Sequence, residues 1–192
     1  PSDKVYIAVI GCGGQGRTNA RGLFAYDDAQ IVAVADPRDQ ADYSQWYYRG
    51  VAGRLPVKAE IEKHYRQQNA AFRCNDYVDF RELLDKEKNI DAVLCATPDH
   101  VHAYVTVSAM RRGKHVYCEK PLTHNIYEAR TVARIAAETG VATQMGNQGR
   151  SDEGNRLTCE MVWDGAIGAV REVHAWSSAS GWSSGRGRPT GT

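Results

Sequence analysis

The stretch "KVYIAVIGCGGQGRTNA", residues 4–20, limits the possible folds more than any other part of the chain. After Lys4, residues 5–10 form a continuous apolar run, the mark of a strand buried on both faces. Gly11, Gly13 and Gly16 follow at once in G-x-G-x-x-G spacing, and a helical pattern runs on through Leu23 and Phe24. The glycine spacing alone is a weak signal. Between a buried strand and a helix it has the context of a phosphate-binding turn. Gly11 permits the tight turn, Gly13 lets the backbone approach a pyrophosphate, and Gly16 lets helix and strand pack closely. Gly14 and Gln15 complete the cradle, where the helix N-terminus offers unpaired N–H groups and a positive dipole end. The alternative is a tight glycine turn without a ligand.

The same buried-strand type recurs at "QIVAVAD" (30–36), "DAVLCAT" (91–97), "KHVYCEK" (114–120) and "VATQMG" (141–146). Helical segments separate these strands. Residues 99–112 carry Val101, Val105, Ser108 and Ala109 on one stripe and end at Gly113. Residues 125–139 open with Asn125 and Glu128 at capping-box spacing. The pattern puts Ile126, Ala129, Ala133 and Ala136 on the inner face and ends the helix at Gly140. Residues 152–164 end likewise at Gly165. Alternating strands and helices with short connections predict an α/β fold, a Rossmann-type doubly wound parallel sheet with helices on both faces. A dinucleotide-binding domain over 1–150 is expected, followed over 151–192 by the beginning of a truncated α/β second domain. "AVREVHAW" (169–176) is expected to be that domain's first strand. Residues 39–70 exceed one crossover helix and are interrupted by Gly50, Gly53 and Pro56. Trp46, Tyr47 and Tyr48 are expected to pack this insertion on an outer helix.

Asp36 ends the second strand, twenty residues after Gly16. An acid there takes the two hydroxyls of an adenosine ribose and repels a 2′-phosphate. NAD is therefore expected over NADP, although Arg38 could accommodate the phosphate. The alternative for Asp36 is a solvated turn residue before Pro37.

Bulk properties narrow the function classes. The formal net charge of +1 gives no field favouring nucleic acid or an anionic membrane. No apolar run approaches the roughly 18 residues of a membrane span. Five cysteines with no C-x-x-C do not suggest a disulfide scaffold or a zinc site. Cys95 and Cys118 fit small buried hydrophobes. No metal site is expected. The chain begins at Pro1-Ser2 rather than Met, so the compartment stays open between cytoplasm and, if an export signal was removed, periplasm.

"GKHVYCEKPL" (113–122) ends a strand with Glu119 and Lys120 side by side before Pro121. Ligands of open parallel sheets bind outside the carboxyl ends of the strands. Gly11, Asp36, Thr97 and the Glu119-Lys120 pair all lie at such ends. An ammonium there can polarise a hydroxyl or help move its proton. The alternative is an ion pair at an exposed strand end.

"ATPDHVHAYVTVSAMRRGKHVYCEKPLTHN" (96–125) resembles the glucose–fructose oxidoreductase / inositol dehydrogenase (Gfo/Idh/MocA) family of NAD(P)-dependent sugar dehydrogenases. The signature is A-T-P-D-x-x-H, a helix, then G-K-H-V-x-x-E-K-P. The resemblance implies that Thr97 and Pro98 line the cofactor and that Asp99 caps the next helix. It puts His102 near the ribose and Glu119 at the nicotinamide ribose. It makes Lys120 the bridge between cofactor and substrate and the catalytic residue present. Asn147, Gln148 and Arg150 would flank the nicotinamide or the substrate. A sugar or polyol substrate and homo-oligomerisation of a full-length form are further implications, with no nucleic acid or membrane partner. The family's second domain carries the substrate wall and the usual acid/base histidine. Neither matches this sequence, so a fragment that binds cofactor but lacks the catalytic histidine is expected. Two other activities fit the same scaffold, a glycosidase using NAD transiently and a non-catalytic NAD-binding module.

Overall fold

The computed structural model describes residues 3–44 and 50–176, divided into two units, Pro1–Asn147 and Gln148–Thr192. Trp46, Tyr47 and Tyr48 lie outside the described residues.

The first unit is built on β1 (Val5–Ile10), α1 (Gly14–Leu23), β2 (Ala29–Ala35), β3 (Ala41–Asp42), β4 (Val51–Ala52), α2 (Arg54–Tyr65), β5 (Asn75–Tyr77), α3 (Phe80–Lys86), β6 (Ala92–Cys95), α4 (His102–Met110), β7 (His115–Glu119), α5 (Ile126–Thr139) and β8 (Thr143–Gly146). Six of these strands form one sheet in the order β5-β2-β1-β6-β7-β8, and every pair in it is parallel. The expected doubly wound sheet is therefore the observed one. The chain enters at β1, moves outward through β2 to β5, then returns to β6 on the other side of β1. The order reverses between β1 and β6, which opens a crevice at their carboxyl ends.

Both faces of the sheet are covered, because the central strands carry apolar side chains on both. On one face Val9, Ile31 and Val34 pack with Ala20 of α1 and Val57, Ile61 and Tyr65 of α2. On the other, Ala8, Ile10, Val93 and Cys95 pack with Leu83 and Leu84 of α3, Val105, Ala109 and Met110 of α4, and Val132 and Ile135 of α5. Full burial of each large aliphatic side chain stabilises by roughly 1.5–3 kcal/mol.

The insertion resolves into two parts. β3 and β4 form a small antiparallel hairpin. The helix α2 then starts right after Gly53, so Pro56 does not interrupt it but sits in its first turn, where the missing N–H costs nothing. β5 was not expected. Its three residues, Asn-Asp-Tyr, show no apolar run, since an edge strand has only one neighbour, here β2.

The helix α5 begins as expected, with the Asn125 side chain accepting from the Glu128 amide, and ends at Gly140 in the left-handed conformation. Its inner face differs from the expected stripe. Val132 and Ile135 are buried with Ala136 beside them, whereas Ala129 and Ala133 are exposed and Ile126 is 72% exposed. The helix turns its branched residues inward, and the alanine stripe gives way to them.

The second unit holds a 3-10 turn over Gln148–Ser151 and α6 (Glu153–Trp163), capped by Asp152 accepting from the Gly154 amide. Residues 169–176 form no strand, contrary to expectation: they run without a ladder partner and are exposed. A β-prone sequence becomes a strand only when another strand takes its N–H and C=O groups. Among the described residues, no helix is long and apolar enough to cross a membrane.

The observed face of α5 can be checked by denaturant unfolding. Ile135→Ala should cost about 2–5 kcal/mol. Ile126→Ala should stay within about 0.5 kcal/mol of the parent. The reverse order would restore the alanine-stripe face.

Candidate functional site

The crevice floor is backbone. Gly11 has φ +91°, and a Cβ on it would lie 2.5 Å from the Ala96 carbonyl group at the end of β6. A Cβ on Gly16 would lie 1.8 Å from the Gly11 carbonyl oxygen. Only glycine permits either approach. No side chain caps α1, so the first-turn amides of Gly14, Gln15 and Gly16 have no helical acceptor and are left for an anion.

The insertion closes over this turn. The Gly53 amide donates to the Cys12 carbonyl at 2.8 Å. The Tyr43 hydroxyl stands 3.3 Å from where a Gly13 Cβ would be. Burial, then the neighbouring Asp36 charge, pushes this phenol's pKa up, so it remains a hydroxyl at neutral pH. Asp36 is half-buried and bound on both oxygens, accepting from the Cys12 amide at 2.7 Å and the Arg38 amide at 2.8 Å. Each carboxylate oxygen has two lone pairs, so acceptor capacity for hydroxyls is left. Arg38 is exposed. Buried Arg54 donates to the Asp36 carbonyl at 2.8 Å, pairs with Asp76 at 3.0 Å, and also pairs with Asp39.

Glu119 and Lys120 part company. Successive strand residues face opposite ways. Glu119 is only 4% exposed and accepts from the Asn19 side-chain amide at 2.6 Å and from Gln15 at 3.3 Å. A Cβ on Gly146, at the end of β8, would meet the Glu119 carboxyl carbon at 2.8 Å. Three elements, α1, β7 and β8, thus converge on one carboxylate. Lys120 is exposed at the strand end.

Residues 5–147 match the model of an oxidoreductase family with an NAD-binding Rossmann fold. The chain belongs to that family, Gfo/Idh/MocA. It is 30% identical over 177 residues to the inositol 2-dehydrogenase of Rubrobacter xylanophilus, an alignment covering 91% of this chain and 44% of that protein. It is 26% identical over 178 residues to the 2,7-anhydro-N-acetylneuraminate hydratase of Mediterraneibacter gnavus, covering 93% and 40%. The crystal structure of myo-inositol 2-dehydrogenase from Lactobacillus plantarum shares the fold, with a TM-score of 0.66 and 24% identity over 86% of this chain and 42% of that one. The chain spans about two fifths of the length of these curated relatives.

The Gfo/Idh/MocA signature residues divide between crevice and core. Thr97 is half-buried and Pro98 exposed at the end of β6. Asp99 does not cap α4 as expected. It lies in a 3-10 turn, and no side chain caps that helix. His102 is not on the crevice surface either. It is 1% exposed, with Nδ1 2.6 Å from the Pro121 carbonyl oxygen and Nε2 2.7 Å from the Thr97 carbonyl oxygen. Carbonyl oxygens only accept, so both ring nitrogens donate and the ring is an imidazolium. Burial works against that charge, but the Cys118 side chain and the two carbonyls outweigh it and push the pKa up to about 9. His102 therefore ties together the two loops that carry Thr97 and Pro121. Asn147 ends the first unit half-buried, while Gln148 and Arg150 are exposed in the second.

Sequence reasoning missed Asn19, Tyr43, Arg54 and Gly146. Asn19 carried a signal, because Gln15 and Asn19 are four apart on one helix face, and the two side chains are hydrogen-bonded at 2.6 Å. The others act through long-range contacts.

The His102 contribution has a definite pH window. Its folded pKa, about 9, lies above the unfolded value near 6.5, so the stabilisation is complete below about pH 6.5 and is lost as pH rises through 9. His102→Gln should lower stability by about 2–4 kcal/mol at pH 6. The gap between variant and parent urea midpoints should narrow steadily up to pH 9.5. A gap independent of pH would mean a neutral ring.

Proposed function

We propose that this chain holds NAD for hydride transfer between a carbon of a sugar or polyol and the nicotinamide. The observation that carries the reading is the convergence at one switch point of the amide cradle, Asp36 and the Glu119-Lys120 strand end. Gly11, Gly13, Gly14, Gln15 and Gly16 take the pyrophosphate. The remaining lone pairs of Asp36 take the adenosine ribose hydroxyls, with Arg38 and the Tyr43 hydroxyl beside them. Thr97 and Pro98 line the nicotinamide half. Glu119, buried between Gln15, Asn19 and Gly146, sets the floor beneath the nicotinamide ribose, and His102 holds the loops on either side. Asn147 and Gln148 are assigned to the nicotinamide side on the family resemblance. Bound NAD supplies the hydride acceptor.

Lys120 is the residue proposed for chemistry. Exposed at the strand end, its ammonium can hydrogen-bond the reacting hydroxyl and ease its proton away as hydride leaves the carbon. The sugar or polyol class is supported by relatives named inositol dehydrogenases. A redox-neutral reading has its own support, since two relatives are named hydratases. NADH accumulation from NAD and a polyol panel separates the two, because a redox-neutral reaction leaves absorbance at the reduced-nicotinamide band unchanged.

Cofactor choice is testable on this chain by fluorescence titration. NADH should bind at least tenfold more tightly than NADPH, the equivalent of losing about one charge-assisted hydrogen bond and meeting a repelling carboxylate. Asp36→Asn should shrink that ratio severalfold. Equal affinities in the parent would refute the Asp36 assignment, and binding of neither would refute the cradle.

A further inference from the structure

Beneath the crevice lies a cluster that hydride transfer does not use. Cys95 and Cys118 are directly paired across β6 and β7. Adjacent strands stand about 4.8 Å apart, within the Cα separation a disulfide spans. In-register residues of parallel neighbours face the same side of the sheet, and both thiols join the same core cluster. Their sulfurs and a ring nitrogen of His102 all lie within 4.8 Å of one another. The geometry resembles a metal triad, but both His102 nitrogens already face carbonyl oxygens. A cation would have to displace one of those bonds.

The cluster has an approach. Cys118 lines a cavity of about 70 Å³ together with Thr106, Thr143, Gln144 and Met145. The last three belong to the exposed stretch of the edge strand β8. The cavity is roomy enough for a solute of two or three heavy atoms. Thr106 Oγ1 is buried there without a hydrogen-bond partner, an unusual state for a hydroxyl. It offers a hydrogen bond to a small polar guest beside the Cys118 sulfur.

We infer that Cys95 and Cys118 are a buried dithiol which a small hydroperoxide, entering by the Thr106 cavity, oxidises to a disulfide, and that this oxidation releases the His102 bridge. The doubly donating imidazolium calls for a counter-charge. The two sulfurs, within 4.8 Å of a ring nitrogen, stand where one would be, and the Cys118 side chain helps to hold the ring's pKa up. The proposed reactive form of the pair is one thiolate and one thiol sharing a proton beside the imidazolium. When that proton passes to Cys95, the Cys118 sulfur at the cavity attacks the terminal peroxide oxygen. The O–O bond breaks, the alkoxide takes a proton from His102, and Cys118 becomes a sulfenic acid. Cys95 then attacks that sulfur, and the departing hydroxide takes the Cys95 proton as water. One thiolate, one thiol, one imidazolium and one hydroperoxide give a disulfide, a neutral imidazole, an alcohol and water. The peroxide gains the two electrons that the sulfurs lose.

A neutral imidazole has a single N–H. His102 can then hold either Thr97 or Pro121 but not both, and the crevice loops lose their tie. In this way a redox event in the core reaches the nucleotide site. The effect on NADH rests on the proposed NAD reading, whereas the disulfide does not.

The test uses the full chain with Cys159→Ser, which removes the exposed cysteine of the second unit. The reduced protein is exposed to hydrogen peroxide, quenched, and digested without reductant. The expected result is an intact mass lower by two hydrogens and a cross-link between the Cys95 and Cys118 peptides. Cys118→Ser should abolish both. NADH affinity should fall about tenfold on oxidation and recover with dithiothreitol. An unchanged mass, a cross-link involving Cys12 or Cys74, or stable sulfinic acid on Cys118 without a cross-link would overturn the inference. Should Cys118→Ser fail to fold, the cross-link map of the Cys159→Ser protein decides alone. A mapped cross-link with no NADH binding in either state supports the dithiol and refutes the nucleotide reading instead.

Discussion

Backbone meets backbone at the switch point, with no side chain between. Gly16 lies under the Gly11 carbonyl, and Gly11 lies against the Ala96 peptide. Widening this junction by one methyl group would push α1 off the sheet or β1 away from β6. The same closeness leaves the first amides of α1 at the crevice. Two further segments tie in through Cys12, whose N–H goes to Asp36 and whose carbonyl takes the Gly53 amide. The ends of β1, β2 and β6 and the start of α2 are therefore one hydrogen-bonded knot. The proposed anion site would not have to be assembled separately from the sheet.

Two buried charges stand behind this knot, and their energetics explain their neighbours. Taking a carboxylate or an imidazolium out of water costs several kcal/mol. A hydrogen bond to a charged group returns about 1.5–3 kcal/mol. Two such bonds come near to balancing that cost at Glu119, whereas at His102 the two carbonyls and the Cys118 side chain outweigh it. Removing a partner is costly, however, because the charge stays buried. Asn19, Gln15, the Thr97 carbonyl and the Pro121 carbonyl are in this sense obligatory. Glu119 is held at fixed depth between α1 and β8, and His102 locks two loops to one another. The strand period then turns Lys120 outward. The side-by-side acid and base of "CEKP" are a buried anchor and an exposed ammonium, each with separate work.

The fold was legible because its signals were local and redundant. Every long central strand announced itself as an apolar run, and glycines stopped the helices where expected at Gly140 and Gly165. What escaped depended on partners distant in sequence. β5 is polar, and its only neighbour is β2. The β-prone run 169–176 forms no ladder. The inner face of α5 was misjudged because Ile126 and three alanines match a helical stripe as well as Val132 and Ile135 do. At the site, the glycines, Asp36, Thr97 and Glu119 could be placed from strand ends alone. The burial of His102 could not, since a histidine at a helix start gives no sign that two carbonyls will converge on it. Tyr43 and Arg54 are joined to the turn only by tertiary folding of an insertion.

Asp36 joins its proposed role in recognition to the folding of the turn. Its two oxygens are already acceptors for the Cys12 and Arg38 amides, so the carboxylate is positioned by the turn before any ribose arrives. A change of nucleotide preference toward a 2′-phosphate cannot then be reached by deleting this side chain alone. Alanine would leave two backbone donors unpaired, at about 1–3 kcal/mol each where buried. The exposed Arg38 guanidinium would have its phosphate, but on a loosened turn. A residue that removes the charge while keeping an acceptor for the Cys12 amide meets both demands, and serine or asparagine is the smallest such step. On the proposed NAD reading, ribose selectivity would be constrained first by the backbone that Asp36 holds, and only second by the hydroxyls it would receive.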